Sequence, residues 1–457
     1  MGSCPRLAGE SFQWIGINIE RLYGRIGVCK VESGKWIGAS ALKFVIHGEK
    51  PLKGRIRVSG SKNAAVAILP AALMADSPSV IENLPDITDV QVFREILSNL
   101  GARLEGLPSG AVMVDPNGLD TTCAPYELVK RLRASYYLVG ALLARFGKAE
   151  VALPGGCDIG LRPVDQHIKG LRALGAEVTM EHGIIKARAQ KLRGAQVYLD
   201  VTSVGATINI MLAATMAEGT TVIENAAKEP HIVDLANYLN AMGGKVQGAG
   251  TDVIKIRGVE RLHGVTHSVI PDEIEASTYM LAAIATQGDL IIQNTISKHL
   301  ESVAAKLREV GAVVEMNGEQ VHVLGPERPK AANVKTLPYP GFPTDLQQPY
   351  VATMARADGI SVVQETIYDN RFGYANELVR MGASIRVDGR TAIVEGVERL
   401  YGAPVRAGDL RAGAALVLAG LSAKGTTEVY GVEFIDRGYE HMEKKLAAAG
   451  ADIVRVE

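Results

Sequence analysis

The chain is poor in cysteine: four (Cys4, Cys29, Cys123 and Cys157) stand in 457 residues. So few thiols in so long a chain build no disulfide framework, which points to a reducing, cytoplasmic setting. Aromatic residues make up only 5%, and the formal net charge is −1. A chain with no excess of either sign has no global field to draw it to nucleic acid or anionic lipid, so neither is an expected partner. No run reaches the ~20 apolar residues that a membrane-spanning helix needs. The apolar stretch 412–421 is short and broken by glycine. The N-terminus lacks the basic, apolar and small-residue succession of a secretory signal. Metal chemistry is not indicated: there is no Cys-x-x-Cys, the nine histidines are scattered, and His263 and His267 have no third ligand nearby. No Gly-x-Gly-x-x-Gly follows a strand, so no dinucleotide cofactor is expected, and no cofactor of any kind is called for.

What the chain does have is a repeat. A helix end marked by a central glycine recurs as Leu100-Gly101-Ala102, Leu174-Gly175-Ala176, Met242-Gly243-Gly244, Val310-Gly311-Ala312, Met381-Gly382-Ala383 and Ala449-Gly450-Ala451. The glycines are spaced by 74, 68, 68, 71 and 68 residues. Six units of one size predict a repeat architecture. Each unit reads as an Ala- and Leu-rich helix, a β-rich run such as residues 219–225, an amphipathic helix, the capping glycine and a closing strand. In the third unit Ile232, Leu235, Leu239 and Met242 recur at helical spacing. Such alternation places the fold in the α/β or α+β class. A unit of ~70 residues has little core of its own, so the units should pack on one another. The first forty residues, with both tryptophans (Trp14 and Trp36), lie outside the pattern and read as an N-terminal extension (1–42) of unassigned role.

Several stretches carry chemistry-bearing residues. Residues 153–163 (Leu-Pro-Gly-Gly-Cys-Asp-Ile-Gly-Leu-Arg-Pro) set Cys157 in a loop too rich in glycine and proline for regular structure, five residues before Arg162. An exposed thiol there can exchange a proton or attack a substrate, and the arginine suits an anion; the alternative is an incidental surface cysteine. In Gly60-Ser61-Lys62-Asn63, Lys62 opens an apolar helix, where the macrodipole disfavours a cation. It is explained either by an anion lodged between lysine and backbone or by simple solvation. Arg133 lies on a mostly apolar helix, Arg411 at the entrance to the sixth unit's apolar helix and Arg371 after a strand; each reads as an anion ligand or as a solvated side chain. Asp345, at a Pro-broken helix start, reads as a first-turn carboxylate or as a general base.

Taken together, these stretches resemble the EPSP synthase-like family of enolpyruvyl transferases, specifically its branch acting on UDP-N-acetylglucosamine. The likeness runs from about Leu42 to the C-terminus. It rests on Gly60-Ser61-Lys62-Asn63-Ala64-Ala65, Arg133-Ala134-Ser135, Pro154-Gly155-Gly156-Cys157 and Arg162-Pro163-Val164-Asp165. It continues through Ser203-Val204-Gly205-Ala206-Thr207, Phe342-Pro343-Thr344-Asp345, Asn370-Arg371-Phe372, Asp409-Leu410-Arg411-Ala412 and Asp436-Arg437-Gly438-Tyr439-Glu440. The resemblance implies an inside-out α/β barrel of two domains, each with three βαβαββ-like repeats and with the active site between them. Carried over, one domain is 62–271 and the other is 43–61 plus 272–457.

The implied reaction moves enolpyruvate from phosphoenolpyruvate to the 3′-hydroxyl of UDP-N-acetylglucosamine and releases phosphate, opening peptidoglycan synthesis. Lys62, Arg162 and Arg411 match the cations that hold phosphoenolpyruvate, with Arg371 and Arg437 as weaker candidates. Cys157 matches the proton donor to the enol carbon, which can also add covalently, and the 153–163 loop matches a lid. Asp345 matches the base that accepts the hydroxyl proton. Asn63, Arg133, Arg162, Pro163, Val164, Asp165, Gln166, Ser203, Val204, Gly205 and Ile367 match nucleotide-sugar contacts. There is one departure. Some members carry a lysine just before Ser-Val-Gly-Ala-Thr, where this chain has Asp200-Val201-Thr202. Two rival readings are a shikimate 3-phosphate enolpyruvyl transferase, which lacks a Pro-Gly-Gly-Cys loop, and a non-catalytic paralogue that binds the nucleotide sugar.

Overall fold

Strand formation follows the period-two burial that a sheet with one wet face requires. In Thr220–Glu224, Thr221 and Ile223 are buried while Thr220 is exposed, and Val253–Arg257 alternates in the same way. A computed structural model describes residues 42–153 and 164–457 and shows six small sheets, one per sequence unit. Five of them share one topology: a short edge strand parallel to the central strand, which pairs antiparallel with a third strand that pairs antiparallel with a fourth. In the sixth, Ile184–Arg188 pairs antiparallel with both Lys148–Ala152 and Glu177–Glu181, and the parallel edge shrinks to a single bridge between Cys123 and Glu150.

The last sheet closes the chain on itself. Its antiparallel strand is Lys43–His47, from the start of the described residues, inserted between Thr426–Tyr430 and Asp452–Val456. The sixth unit is therefore completed by the first strand.

Six helices are buried nearly all round, as their Ala- and Leu-rich composition demands. They are Lys62–Ala72, Tyr137–Phe146, Val204–Thr215, Glu273–Ala285, Gln347–Met354 and Leu410–Ser422. Helices inside and sheets outside is the inside-out arrangement. The more amphipathic helices, such as Thr88–Asn99 and Pro230–Ala241, end at the glycines of the repeat. Gly101, Gly175, Gly243, Gly311, Gly382 and Gly450 all have φ between 89° and 102°. A side chain would be strained there, which is why the tripeptide recurs.

Residues 42–457 form one compact unit with two hydrophobic cores. One core draws on residues from Ala64 to Val269, the other on Phe44 to Val58 and on Ile274 to Ile453. The chain passes between them twice, and the two passages run side by side. Ser61 N donates to Ile270 O at 2.7 Å, and Asp272 N donates to Ser59 O at 2.9 Å. Two of the buried helices start at this junction, bringing Lys62 and Asp272 together. Among the described residues no helix is long and apolar enough to cross a membrane.

Candidate active site

Lys62 begins its helix behind the N-cap Ser61, whose hydroxyl accepts from Ala64 N. The anion beside it belongs to the protein: Lys62 Nζ lies 2.8 Å from Asp89 Oδ2. The other oxygen of Asp89 takes Arg437 Nε at 2.8 Å. Burial alone would raise the Asp89 carboxyl, but Lys62 and then Arg437 outweigh it and hold the carboxyl below its ordinary value. Lys62 is thus neither merely solvated nor waiting for a first counter-ion. Arg437, which sequence ranked as a weaker candidate, shares that counter-ion with it.

Asp345 anchors a second cluster. It sits in the single turn Thr344–Leu346 ahead of the Gln347–Met354 helix. Its Oδ1 accepts from Arg371 Nη2 at 2.7 Å, and its Oδ2 accepts from Arg411 Nη2 at 3.0 Å and from Nε at 3.2 Å. The arginine side chains are 2% and 4% exposed, whereas Asp345 keeps 29%. Burial would raise the Asp345 carboxyl; Arg411 and Arg371 overwhelm that and hold it far below the usual carboxylate range. The arginine neighbours, and not helix capping, are what position this carboxylate. Arg371 is fixed in turn: its Nη1 donates to Thr344 Oγ1 at 2.7 Å, and that hydroxyl donates to Glu365 at 2.8 Å. Glu365 also accepts from Ile367 N, Tyr368 N and Thr336 Oγ1. This buried glutamate ties the loop bearing Ile367 and Arg371 to the turn bearing Asp345.

The two clusters meet at the junction of the cores. Asp272 Oδ2 accepts from Lys62 N at 3.0 Å, and its Oδ1 caps the next buried helix through Ile274 N and Glu275 N. Gly438 packs on Leu410 and on the Lys62 stem, because a Cβ there would stand 2.7 Å from Leu410 and 3.1 Å from Lys62. The Arg411 guanidinium lies over the Tyr439 ring, 5.3 Å from its centroid. From the first core, buried His231 at the start of the Pro230–Ala241 helix comes within electrostatic reach of Asp345. Burial pushes its pKa down to about 4, against the pull of Asp345.

The remaining sequence candidates gather around the N-terminus of the Val204–Thr215 helix. Ser203 is its N-cap, accepting from Ala206 N at 3.3 Å. Gly205 faces His167 and Tyr136; a Cβ there would come within 2.9 Å of the imidazole and 3.1 Å of the phenol oxygen. The imidazole cannot give way freely, because Asn209 Nδ2 donates to its Nδ1 at 2.9 Å, which leaves the ring proton on Nε2. Gln166 Nε2 donates to Asp165 and Asp200, and its Oε1 accepts from Asp200 N at 3.0 Å. Asp200 also holds Lys169 Nζ at 2.7 Å. A cation therefore stands beside the segment where the sequence motif lacks one. Val164 and Arg133 are half-buried, as is Asn63 on the Lys62 helix, while Ile367 is exposed. Arg133 begins the tight turn Arg133–Tyr136, and the apolar helix starts only at Tyr137, which corrects its expected place on that helix. Arg371 lies on the loop that follows the Ile360–Gln364 strand.

Cys157, Arg162 and Pro163 lie outside the described residues, as does all but the first residue of the 153–163 loop read as a lid. Among the described residues Cys123 is an exposed free thiol, and no group of three or more His, Cys, Asp or Glu side chains is gathered to hold a metal ion. Asp89, Asp272, Glu365 and His231 were missed from sequence. An isolated acid or histidine has no signature of a site, and the partners that draw these four into it, unlike the neighbouring N–H groups that Asp272 and Glu365 also bind, are tens to hundreds of residues away.

The sequence matches the family described as EPSP synthase (3-phosphoshikimate 1-carboxyvinyltransferase) over residues 46–446. It is 58% identical over 414 residues to UDP-N-acetylglucosamine 1-carboxyvinyltransferase 3 of Caldanaerobacter subterraneus subsp. tengcongensis, covering 91% of this chain and 99% of that one. It is 55% identical over 415 residues to UDP-N-acetylglucosamine 1-carboxyvinyltransferase of Clostridium botulinum, covering 91% and 100%. Among solved structures, the enolpyruvyl transferase NikO from Streptomyces tendae superposes with a TM-score of 0.83 at 28% identity, over 91% of this chain and 99% of that one. An EPSP synthase from Acinetobacter baumannii shares the fold, with a TM-score of 0.72 at 21% identity over 91% and 100%.

Proposed function

The chain belongs to the EPSP synthase family of enolpyruvyl transferases, and from that membership we propose that it transfers enolpyruvate from phosphoenolpyruvate to the 3′-hydroxyl of UDP-N-acetylglucosamine. The observation that carries the reading is a set of four cations held on two internal carboxylates: Lys62 and Arg437 on Asp89, Arg371 and Arg411 on Asp345. A substrate bearing both a phosphate and a carboxylate needs several cations in a site that excludes water. Here the internal carboxylates keep those cations neutralised until the substrate competes for them.

That competition bears on the chemistry. With both arginines on it, Asp345 is too weak a base to take an alcohol proton. As phosphoenolpyruvate draws Arg411 toward its own charge, Asp345 loses a counter-ion and gains basicity. The addition then joins the acceptor oxygen to C2, passes the hydroxyl proton to Asp345 and delivers a proton to C3 from Cys157. Elimination returns a C3 proton to the Cys157 thiolate and breaks the bond between C2 and the phosphate oxygen, releasing phosphate. In this reading Lys62, Arg162 and Arg411, joined by Arg437 and Arg371, hold phosphoenolpyruvate. Asn63, Arg133, Arg162, Pro163, Val164, Asp165, Gln166, Ser203, Val204, Gly205 and Ile367 hold the nucleotide sugar, with Lys169 as the cation near Asp200. The two cores correspond to domains 62–271 and 43–61 plus 272–457, the substrates lying between them. A continuous phosphate-release assay with each acceptor tests the proposal: release with UDP-N-acetylglucosamine and not with shikimate 3-phosphate is expected. Binding of the nucleotide sugar without release, or release with the other acceptor alone, overturns it.

A further inference from the structure

Glu365 follows the Ile360–Gln364 strand and opens the loop that carries Ile367 and Arg371. It is 1% exposed, and its hydrogen-bond partners among the described residues are all neutral. Oε1 accepts from Thr336 Oγ1 at 2.9 Å, from Ile367 N at 2.8 Å and from Tyr368 N at 3.2 Å. Oε2 accepts from Thr344 Oγ1 at 2.8 Å. Two of these donors are backbone N–H groups, and the two hydroxyls already accept elsewhere, Thr336 from Thr366 N and Thr344 from Arg371. Both oxygens of Glu365 therefore act as acceptors, the pattern of an ionised carboxylate.

A buried charge without a paired cation costs more than a buried amide. If the loop needed only a staple, the single oxygen of a glutamine would serve the three donors on Oε1. The charge matters on the other side. Because a carboxylate only accepts, the one hydroxyl proton of Thr344 is directed to Oε2, and the lone pairs of that hydroxyl are turned to Arg371. Arg371 Nη1 donates to it at 2.7 Å, while Nη2 donates to Asp345 Oδ1 at 2.7 Å. The chain runs in one direction, from guanidinium to hydroxyl to carboxylate. The Tyr368 ring, held by its own N–H, lies 4.9 Å from the same guanidinium. Ile367, whose N–H is also on Glu365, keeps its side chain exposed.

We propose that Glu365 is a positioning residue that couples the two substrate subsites. Through Thr344 and Tyr368 it sets Arg371 against Asp345, on the phosphoenolpyruvate side. Through Ile367 N it sets the side chain offered to the nucleotide sugar. The proposal rests on the enolpyruvyl transfer reading of this site and adds to it a residue that acts only through others.

Substitutions separate the two arms. Glu365→Gln keeps an oxygen for the three donors and puts an amide nitrogen, which cannot take the Thr344 proton, in place of the other oxygen. Thr344→Val removes the hydroxyl and leaves Glu365 in place, and Thr344→Ser retains the hydroxyl. Glu365→Ala breaks both arms. Phosphate release gives kcat and the KM for each substrate. Loss of a hydrogen bond to a charged group should lower kcat/KM for phosphoenolpyruvate about tenfold or more in Glu365→Gln and Thr344→Val. In both, KM for UDP-N-acetylglucosamine should stay within about twofold of wild type, and Thr344→Ser should match wild type to the same margin. Glu365→Ala should raise that KM about tenfold as well. Because the two residues act in one chain, the Glu365→Gln/Thr344→Val double variant should fall no more than about twofold below the poorer single one. Full activity of Glu365→Gln, a nucleotide-sugar KM that rises as much with Gln as with Ala, a Ser variant as poor as Val, or losses that multiply in the double variant overturns the proposal. Should Glu365→Gln fail to fold, Thr344→Val against Thr344→Ser decides it alone. Absence of phosphate release by wild type with every acceptor would instead condemn the reaction assignment, while the same double-variant cycle read by urea unfolding would still judge whether Glu365 acts through Thr344.

Discussion

Replacing Asp345 by Asn removes one charge and almost no volume, so its effects are electrostatic. Two guanidiniums with side chains only 2% and 4% exposed lose their shared counter-ion. Breaking a buried ion pair by removing one partner costs ~3–5 kcal/mol. Because the carboxylate keeps 29% of its surface in solvent, part of the lost attraction was already screened, and a loss of ~3 kcal/mol is expected. The pH dependence is the sharper check. The folded carboxyl is held far below its unfolded value, so its stabilisation is complete above the unfolded pKa and is lost as pH falls. With an unfolded value of ~3.9, the gap between wild type and Asp345→Asn should narrow by ~1.3 kcal/mol between about pH 7 and about pH 3. Urea unfolding of both proteins across that range measures it. Turnover should fall by ~10²–10⁴ if Asp345 takes the hydroxyl proton. A variant within ~0.5 kcal/mol of wild type at neutral pH, or a gap that does not change with pH, would refute the account of Asp345 as the counter-ion of both arginines.

Asp89→Asn should bind inorganic phosphate several-fold more tightly, read as product inhibition, because Lys62 and Arg437 lose their internal competitor. It should also lose ~1–3 kcal/mol on urea unfolding, a discounted figure because those cations are 15% and 21% exposed. Gly205→Ala drives a methyl group into the His167 ring that Asn209 pins, so KM for UDP-N-acetylglucosamine should rise about tenfold or more with kcat little changed. Cys157→Ala should abolish phosphate release while Cys157→Asp keeps some, since a carboxylic acid can still protonate C3; full activity of the Ala variant would exclude the proton-donor role. An epoxide phosphonate such as fosfomycin should label Cys157 in preference to the exposed Cys123, most readily with the nucleotide sugar present, as peptide mass mapping would reveal.

Much of the architecture is written locally. The six helix-ending glycines are legible because positive φ excludes other residues wherever it occurs, and the alternating strands because burial on one sheet face imposes period two. Lys62, Asp345, Arg371 and Arg411 stood out because charge at the edge of an apolar helix or strand is conspicuous in one dimension. What no stretch of sequence states is which charges share a counter-ion. The pairing of Lys62 with Arg437 through Asp89 joins residues more than three hundred positions apart, and the first strand completes the last sheet. Coulomb attraction and hydrogen bonding act over a few ångströms of space and are indifferent to separation along the chain. The sequence could therefore nominate the charged residues, but only the meeting of the two cores at residues 59–62 and 270–273 decided how they are wired.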